Sequence, residues 1–90
     1  MEVADRDWLR ANRDRIKIGR IDDGRPTFDF DDDYNLFDAM DDFLNEECVG
    51  FGDHLYLPHG DKPTGRETHE IFFEDARWTA SDLESLIATI

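Results

Sequence analysis

Carboxylate side chains supply most of the chemistry that this sequence can perform. Its 90 residues include 23 Asp and Glu against 10 Lys and Arg, which gives a formal net charge of −13 at pH 7. The stretch 26–53 carries ten of the acids and no Lys or Arg. Carboxylates at this density can bind a metal ion, transfer protons or present negative charge to a basic partner. The spacing of the acids distinguishes these three kinds of chemistry.

A calcium loop is the first arrangement that the spacing suggests. Oxygen-bearing side chains alternate as they do in such a loop, at Asp29, Asp31, Asp33 and Asn35. However, Tyr34 stands where the loop requires Gly, and Met40 stands where it requires a bidentate Glu. The pattern therefore disfavours a specific calcium site.

The histidines, the cysteine and the glycines form no recognisable catalytic or cofactor motif. His54, His59 and His69 are not spaced as zinc-ligand pairs, so we expect surface histidines on strand and loop. No glycine run matches a phosphate-binding loop. Cys48 has no base at a fixed spacing, and we expect it half-buried at a helix end. Acid pairs are too numerous for any one pair to indicate acid–base catalysis. We therefore expect no metal, no cofactor and no enzymatic activity.

The acids are instead spaced as a row of charges along one helix, predicted over 33–47 with Asp32 or Asp33 as its cap. Its apolar residues recur at i, i+1, i+4, i+7 and i+8: Leu36, Phe37, Met40, Phe43 and Leu44. The other side of this helix carries six acids over roughly 22 Å, about one per 3.7 Å, and a DNA strand carries one charge per ~3.4 Å. The helix could thus place carboxylates where a DNA-binding protein expects phosphates.

A predicted strand extends this row. Asp29 and Asp31 alternate with Phe28 and Phe30, so they should point to solvent and join the helical acids in one contiguous surface. The residues that we predict to bind a partner are Asp29, Asp31, Asp33, Asp38, Asp41, Asp42 and Glu46.

Five further elements are expected around this surface. The first helix is predicted over 5–15 with Asp5 as its cap, and the last over 80–89 with a Thr79–Asp82 capping box. A hairpin with the three-residue loop 22–24 pairs Ile18 with Phe28, and 54–58 pairs with 68–75. The helix 33–47 should end at Gly50 and Gly52. The sequence thus predicts one α+β domain, 1–90, of order α-ββ-α-ββ-α, with about four antiparallel strands and helices mainly on one face.

The apolar periodicities of these elements also predict the hydrophobic core. Its members are Trp8, Ile16, Ile18, Phe28, Phe30, Leu36, Phe37, Met40, Phe43, Leu44, Leu55, Leu57, Ile71, Phe73, Leu83, Leu86 and Ile87.

The overall charge excludes some classes of partner. Bulk electrostatic binding to nucleic acid or to an anionic membrane needs net positive charge. We therefore expect a basic nucleic-acid-binding protein or complex as the partner of a monomer or small homo-oligomer. No signal peptide or long apolar run is visible, so the predicted location is the cytoplasm. The Arg-rich stretch 1–25 is expected to pair internally with the acids.

In size, charge and acidic α+β character, the chain resembles the small phage-encoded DNA-mimic inhibitors, which include anti-CRISPR and anti-restriction proteins. The resemblance rests on the stretch 29–47, DFDDDYNLFDAMDDFLNEE, and transfers no individual residue. It implies an inhibitor that blocks the DNA- or RNA-binding groove of a CRISPR complex, a restriction complex or another DNA-binding machine in the host cytoplasm.

Two alternatives stay open at this point. An immunity protein or antitoxin matched to a basic toxin would carry a similar acidic surface. An ordinary domain adapted to high salt would also favour Asp over Glu, 16 to 7, and Arg over Lys, 8 to 2. Salt adaptation would spread the acids evenly, whereas this chain concentrates ten of them in one third of its length.

Overall fold

Three α-helices and a four-stranded antiparallel sheet make up the fold, which a computed structural model describes for residues 2–21, 23–56 and 68–90. The helices are α1 (Val3–Ala11), α2 (Tyr34–Glu46) and α3 (Ala80–Ala88), and the strands are β1 (Lys17–Arg20), β2 (Pro26–Asp31), β3 (Phe51–Tyr56) and β4 (Thr68–Phe73). The strand order is β1-β2-β4-β3. This arrangement confirms the predicted α+β class. None of the helices in the described ranges is long and apolar enough to cross a membrane.

The register of the first hairpin is the one that side-chain pairing predicts. Ile18 lies opposite Phe28, and Lys17 lies opposite Asp29. The Ile21 amide donates to the Arg25 carbonyl at 3.0 Å and closes a three-residue loop in which Gly24 has φ +89°. This register pairs apolar side chains with each other on one face and opposite charges on the other. A shift by one residue would move every side chain of the strand to the other face.

The sheet has two chemically different faces because strand side chains alternate. One face, called the helix face here, carries Phe28, Phe30, Ile71 and Phe73, and these residues form one buried cluster with Leu9 of α1, with α2 and with Leu83 of α3. The second face carries the intervening residues of the two central strands: Thr27, Asp29, Asp31, Thr68, Glu70 and Phe72. All three helices therefore contribute to a core on the helix face, as predicted.

The capping box of α3 is confirmed, but α1 begins differently from the prediction. The Thr79 side chain accepts from the Asp82 amide, and the Asp82 side chain accepts from the Thr79 amide. Helix α1 starts two residues early, with Glu2 rather than Asp5 at the N-cap and no side-chain cap bond. It ends at Ala11, and a 3-10 turn follows over Arg13–Arg15. Asp5 therefore lies inside the first turn, where its charge still suits the helix dipole.

The end of α2 corrects a second expectation. Gly50 and Gly52 were expected to end the helix, but Cys48 takes the left-handed conformation, with φ +59°. The Val49 amide then bonds back to the Leu44 carbonyl at 3.0 Å, which is the longer bond of a Schellman motif. Cys48 is exposed and not half-buried. Gly52 instead lies in β3, where the Phe72 ring leaves no room for a Cβ.

Two described residues of the predicted core are exposed, and three apolar residues outside the prediction are buried. Trp8 and Leu55 are 37% and 46% exposed. Leu9, the next residue of α1, is fully buried instead of Trp8. Successive side chains of a helix are rotated by ~100°, so the two residues point in different directions. Leu57 lies outside the described residues. The buried cluster also contains Ala39 and Ile90, which the predicted core omitted.

Truncation of Phe43 tests the assignment of the core. Phe43 is fully buried, so Phe43→Ala should cost about 3–5 kcal/mol of unfolding free energy. The half-exposed Leu55 is the matched control, and Leu55→Ala should cost less than about 1 kcal/mol. Urea unfolding of both variants measures the difference. Equal costs would contradict the assignment.

Replacement of Cys48 tests the end of α2. A side chain in the left-handed region costs about 1–2 kcal/mol, and Gly removes that cost but adds about 0.5–1 kcal/mol of chain entropy. Cys48→Gly should therefore stabilise the protein by roughly 0.5–1 kcal/mol. Cys48→Ala keeps the strain and should give no gain. Thermal unfolding in reducing buffer compares the two variants.

Candidate interaction surface

The first turn of α2 is held by Asp33. Its Oδ1 accepts from the amides of Asn35 and Leu36 at 2.9 and 3.3 Å, and its Oδ2 accepts from the Arg15 guanidinium at 2.9 Å. The hydrogen bond from Arg15 is the largest effect on the Asp33 carboxyl and lowers its pKa; partial burial opposes this, and the backbone hydrogen bonds lower the pKa further. Asp33 is therefore engaged in positioning the helix.

His69 ties the same end of α2 to the sheet. Its Nε2 lies 2.7 Å from Asp32 Oδ1, and its Nδ1 lies 2.8 Å from Asp53 Oδ2. The ring stacks between Phe30 and Phe37, with centroids 5.4 and 4.7 Å away. Each ring nitrogen thus lies within hydrogen-bond distance of a carboxylate oxygen. Neither nitrogen is free to act as a base toward a substrate.

The alternation of side chains along β4 could have predicted this role of His69 from the sequence. In the run HEIFF, the apolar Ile71 and Phe73 face the core, and His69 stands at the next position of the same alternation. A polar side chain on the core face must find buried partners. The spacing of the histidines predicted a surface position for His69, but its side chain is buried, with 8% exposure.

The exposed side of α2 carries four of the predicted partner-binding residues. Asp38, Asp42 and Glu46 are exposed and Asp41 is partly exposed, whereas Met40 and Phe43 of the same helix are fully buried. The Asp41 carboxylate accepts from the side-chain Nδ2 of Asn45 at 3.2 Å. This set is called the acidic face: Asp38, Asp41, Asp42 and Glu46.

The strand acids do not join the acidic face. Asp29 and Asp31 lie on the second face of the sheet, because α2 packs against the face that carries Phe28 and Phe30. Asp29 is partly buried, accepts from the Thr27 hydroxyl at 2.8 Å and is aligned with Lys17 across the strands. The predicted row is thus divided between the two sides of the sheet. Strand alternation alone could not show on which side α2 would pack.

A groove between α1 and α2 borders the acidic face. It encloses about 260 Å³, and its lining consists of Asp5, Trp8, Asn35, Asp38, Ala39 and Asp42. Asp5 and Trp8 are three residues apart and share one side of α1. Neither residue was predicted as a site residue, because only the packing of α1 on α2 brings them beside Asp38.

The basic residues of the first segment are largely used inside the fold, as predicted. Arg6 lies 3.8 Å from Glu47 and covers the Phe43 ring at 5.2 Å. The Arg10 Nε donates to the main-chain oxygen of Ile90 at 2.8 Å. These contacts direct two of the arginines toward the ends of α2 and α3. Asp5, Asp38 and Asp42 form no ion pair with any residue in the described ranges.

The residues considered for metal binding do not converge. His54 and His69 lie on opposite faces of the sheet, and His59 is outside the described residues. Asp29 and Asp31 belong to β2, and Asp33 caps α2. No group of three His, Cys, Asp or Glu residues in the described ranges could hold a metal ion.

Comparisons with protein-family models, with curated proteins and with solved structures found no match in any of the three. The chemistry of this surface must therefore follow from its own geometry and charge.

Acid titration tests the role of Asp33. Because the folded state lowers its pKa, the ionised carboxyl stabilises the fold above its ordinary pKa of 3.8, and this contribution is lost as the pH falls through the lower folded value. Asn also caps helices but cannot pair with Arg15. Asp33→Asn should therefore be less stable than wild type by about 0–1 kcal/mol near neutral pH.

The measurement is urea unfolding between roughly pH 6 and pH 2.5. The difference between wild type and Asp33→Asn should shrink below pH ~4. Asp38→Asn controls for the loss of one carboxylate. A difference that stays constant across the range would show that the pairing with Arg15 does not stabilise the fold.

Proposed function

We propose that the protein is an acidic inhibitor that presents the acidic face to a basic nucleic-acid-binding protein and occupies its DNA- or RNA-binding groove. The proposal rests on one observation. Four carboxylates lie together on the outward side of α2: Asp38, Asp41, Asp42 and Glu46. No Lys or Arg interrupts the chain between 26 and 53. The partner class that the resemblance implies is a CRISPR or restriction complex.

The charge spacing on α2 supports mimicry of a nucleic-acid strand. Asp38 and Glu46 are eight residues apart, about 12 Å along the helix axis at ~1.5 Å per residue. Four carboxylates over that length give about one charge per 4 Å, close to the ~3.4 Å of a DNA strand. A groove that binds successive phosphates would meet a similar density of negative charge.

The anchoring of α2 also supports the proposal. At its start, Asp33 is held by Arg15, and Phe37 stacks on His69. Near its end, Glu47 lies beside Arg6. A helix held at both ends loses little conformational entropy when it binds, so more of the electrostatic attraction appears as affinity.

Concentrated charge favours an interaction surface over general salt adaptation. Like charges packed on one helix repel each other, which destabilises the compact state, and a partner that neutralises them relieves the repulsion. Association should be fast and should weaken with salt, because the Debye length is ~8 Å at physiological ionic strength. A salt-adapted domain would instead loosen as salt is withdrawn.

Charge reversal on the acidic face tests this function. The variant Asp38→Lys, Asp41→Lys, Asp42→Lys should keep its circular dichroism spectrum, because none of the three side chains is fully buried. The matched control is Asp14→Lys, Glu74→Lys, Glu84→Lys, which changes the net charge equally at exposed positions on other elements. Immobilised wild type and control should retain proteins from host lysate that bind labelled duplex DNA or RNA, and should compete with that binding.

The reversed variant should neither retain these proteins nor compete. Normal competition by a folded reversed variant would overturn the proposal. Retention of a basic toxin without nucleic-acid competition would favour the immunity-protein alternative, and unfolding at low salt would favour salt adaptation. A sequence-specific gel shift by the protein itself with DNA or RNA would also contradict mimicry.

A further inference from the structure

We propose that the groove between α1 and α2 binds the side chain of one arginine from the protein partner. This inference rests on the proposed function and deepens it, because it names the residue type that the partner inserts beside the acidic face. Its basis is an exposed tryptophan ring and three carboxylates that line one small groove without a cation from the described residues.

The position of Trp8 is the first observation. Its helical neighbour Leu9 is fully buried, yet Trp8 is 37% exposed and lines the groove. Ala39, on the opposite wall, is a small residue that leaves the space open. Tryptophan is the aromatic ring that attracts cations most strongly, and arginine stacks on it more often than lysine.

The second observation concerns the carboxylates. Other acids nearby have cationic partners: Asp7 lies 3.0 Å from Arg10, and Glu47 lies 3.8 Å from Arg6. By contrast, Asp5, Asp38 and Asp42 line the groove and form no ion pair within the described ranges. The groove therefore combines negative charge with an aromatic surface, which is the combination that a guanidinium group requires.

The size and lining of the groove favour a guanidinium group over a metal ion or an ammonium group. Its carboxylates are not grouped closely enough to hold a metal ion, as the described residues contain no three-ligand cluster. Its volume of about 260 Å³ is below the ~300–1,000 Å³ of typical ligand pockets and suits one side chain. A guanidinium group spreads five donors over a plane, so it can stack on Trp8 and reach carboxylates on both helices, whereas an ammonium group is a compact point charge.

The groove and the acidic face share two residues. Asp38 and Asp42 belong to both, since they lie one turn apart on the side of α2 that borders α1. A basic strand or helix lying along the acidic face could therefore place one arginine in the groove. This geometry gives α1 a direct part in binding, through Asp5 and Trp8.

The test uses N-acetyl-arginine amide, hexa-arginine and hexa-lysine as probes, with ¹H–¹⁵N spectra of the full chain as the readout. The indole signal of Trp8 should shift and saturate with both arginine probes, whereas that of Trp78, which packs on Phe73, should not move. Hexa-lysine should bind more weakly and shift the Trp8 signal less. Equal shifts with hexa-lysine, or shifts confined to other signals, would overturn the arginine pocket.

Two substitutions with a matched control complete the experiment. Trp8→Leu and Asp5→Asn should each weaken hexa-arginine binding about tenfold (~1.4 kcal/mol), which lies within the range of one partly desolvated cation–π contact or close charge. Asp14→Asn removes one exposed charge outside the groove and should bind nearly as wild type does. Wild-type affinity in both groove variants would refute the inference.

The two proposals can fail separately. If the reversal of the acidic face abolishes inhibition but Trp8→Leu and Asp5→Asn bind hexa-arginine normally, the arginine pocket is refuted and the inhibitor function stands. If the groove binds arginine as described but the reversed variant still inhibits, the inhibitor function is refuted and the pocket stands.

Discussion

The contact of His69 with two carboxylates is the interaction on which the arrangement of this protein depends. It joins β4 to β3 through Asp53 and to the start of α2 through Asp32. The flanking rings of Phe30 and Phe37 exclude water from the imidazole, which strengthens its charge-assisted hydrogen bonds. A buried imidazole thus joins two carboxylates of a strongly negative chain, at the place where its most acidic helix begins.

Two arginines also contact the ends of α2. Arg6 and Arg15 contact acids near the end and the start of α2, so the helix is neutralised at its ends and left negative along its exposed middle. The hydrophobic stripe of α2 then has to hold the helix against the sheet despite repulsion between its own acids. Full burial of Leu36, Met40 and Phe43 provides that attachment.

Local patterns predicted much of this fold. The three-residue loop followed from the pairing of Ile18 with Phe28, and the cap and apolar stripe of α2 followed from a helical period. The predictions that were wrong mostly concern features that depend on tertiary contacts. The exposure of Trp8 and Leu55 depends on how α1 and β3 sit against the rest of the core, which a period cannot specify. Cys48 occupies a position that usually belongs to Gly, so composition pointed to the wrong residue.

The candidate site was predictable only in part, for the same reason. Helical spacing brought Asp38, Asp41, Asp42 and Glu46 to one side of α2. The separation of Asp29 and Asp31 from them depends on which face of the sheet α2 covers. The groove lined by Asp5 and Trp8 depends on packing between two helices far apart in the sequence, and no single-element pattern contains that information.

The strand order has a consequence for how the chain reaches this state. Strands β1 and β2 form one hairpin, β3 and β4 form another, and the two meet where β2 pairs with β4. Residues paired along that seam are about forty positions apart in the chain, so joining them costs more loop entropy than closing the short β1–β2 turn. Helix α2 lies in the connection between the hairpins. Because pairing of such distant residues slows folding, we expect the meeting of the two halves across Phe28 and Ile71 to limit the folding rate. The acids on the outer side of α2 have no part in that seam.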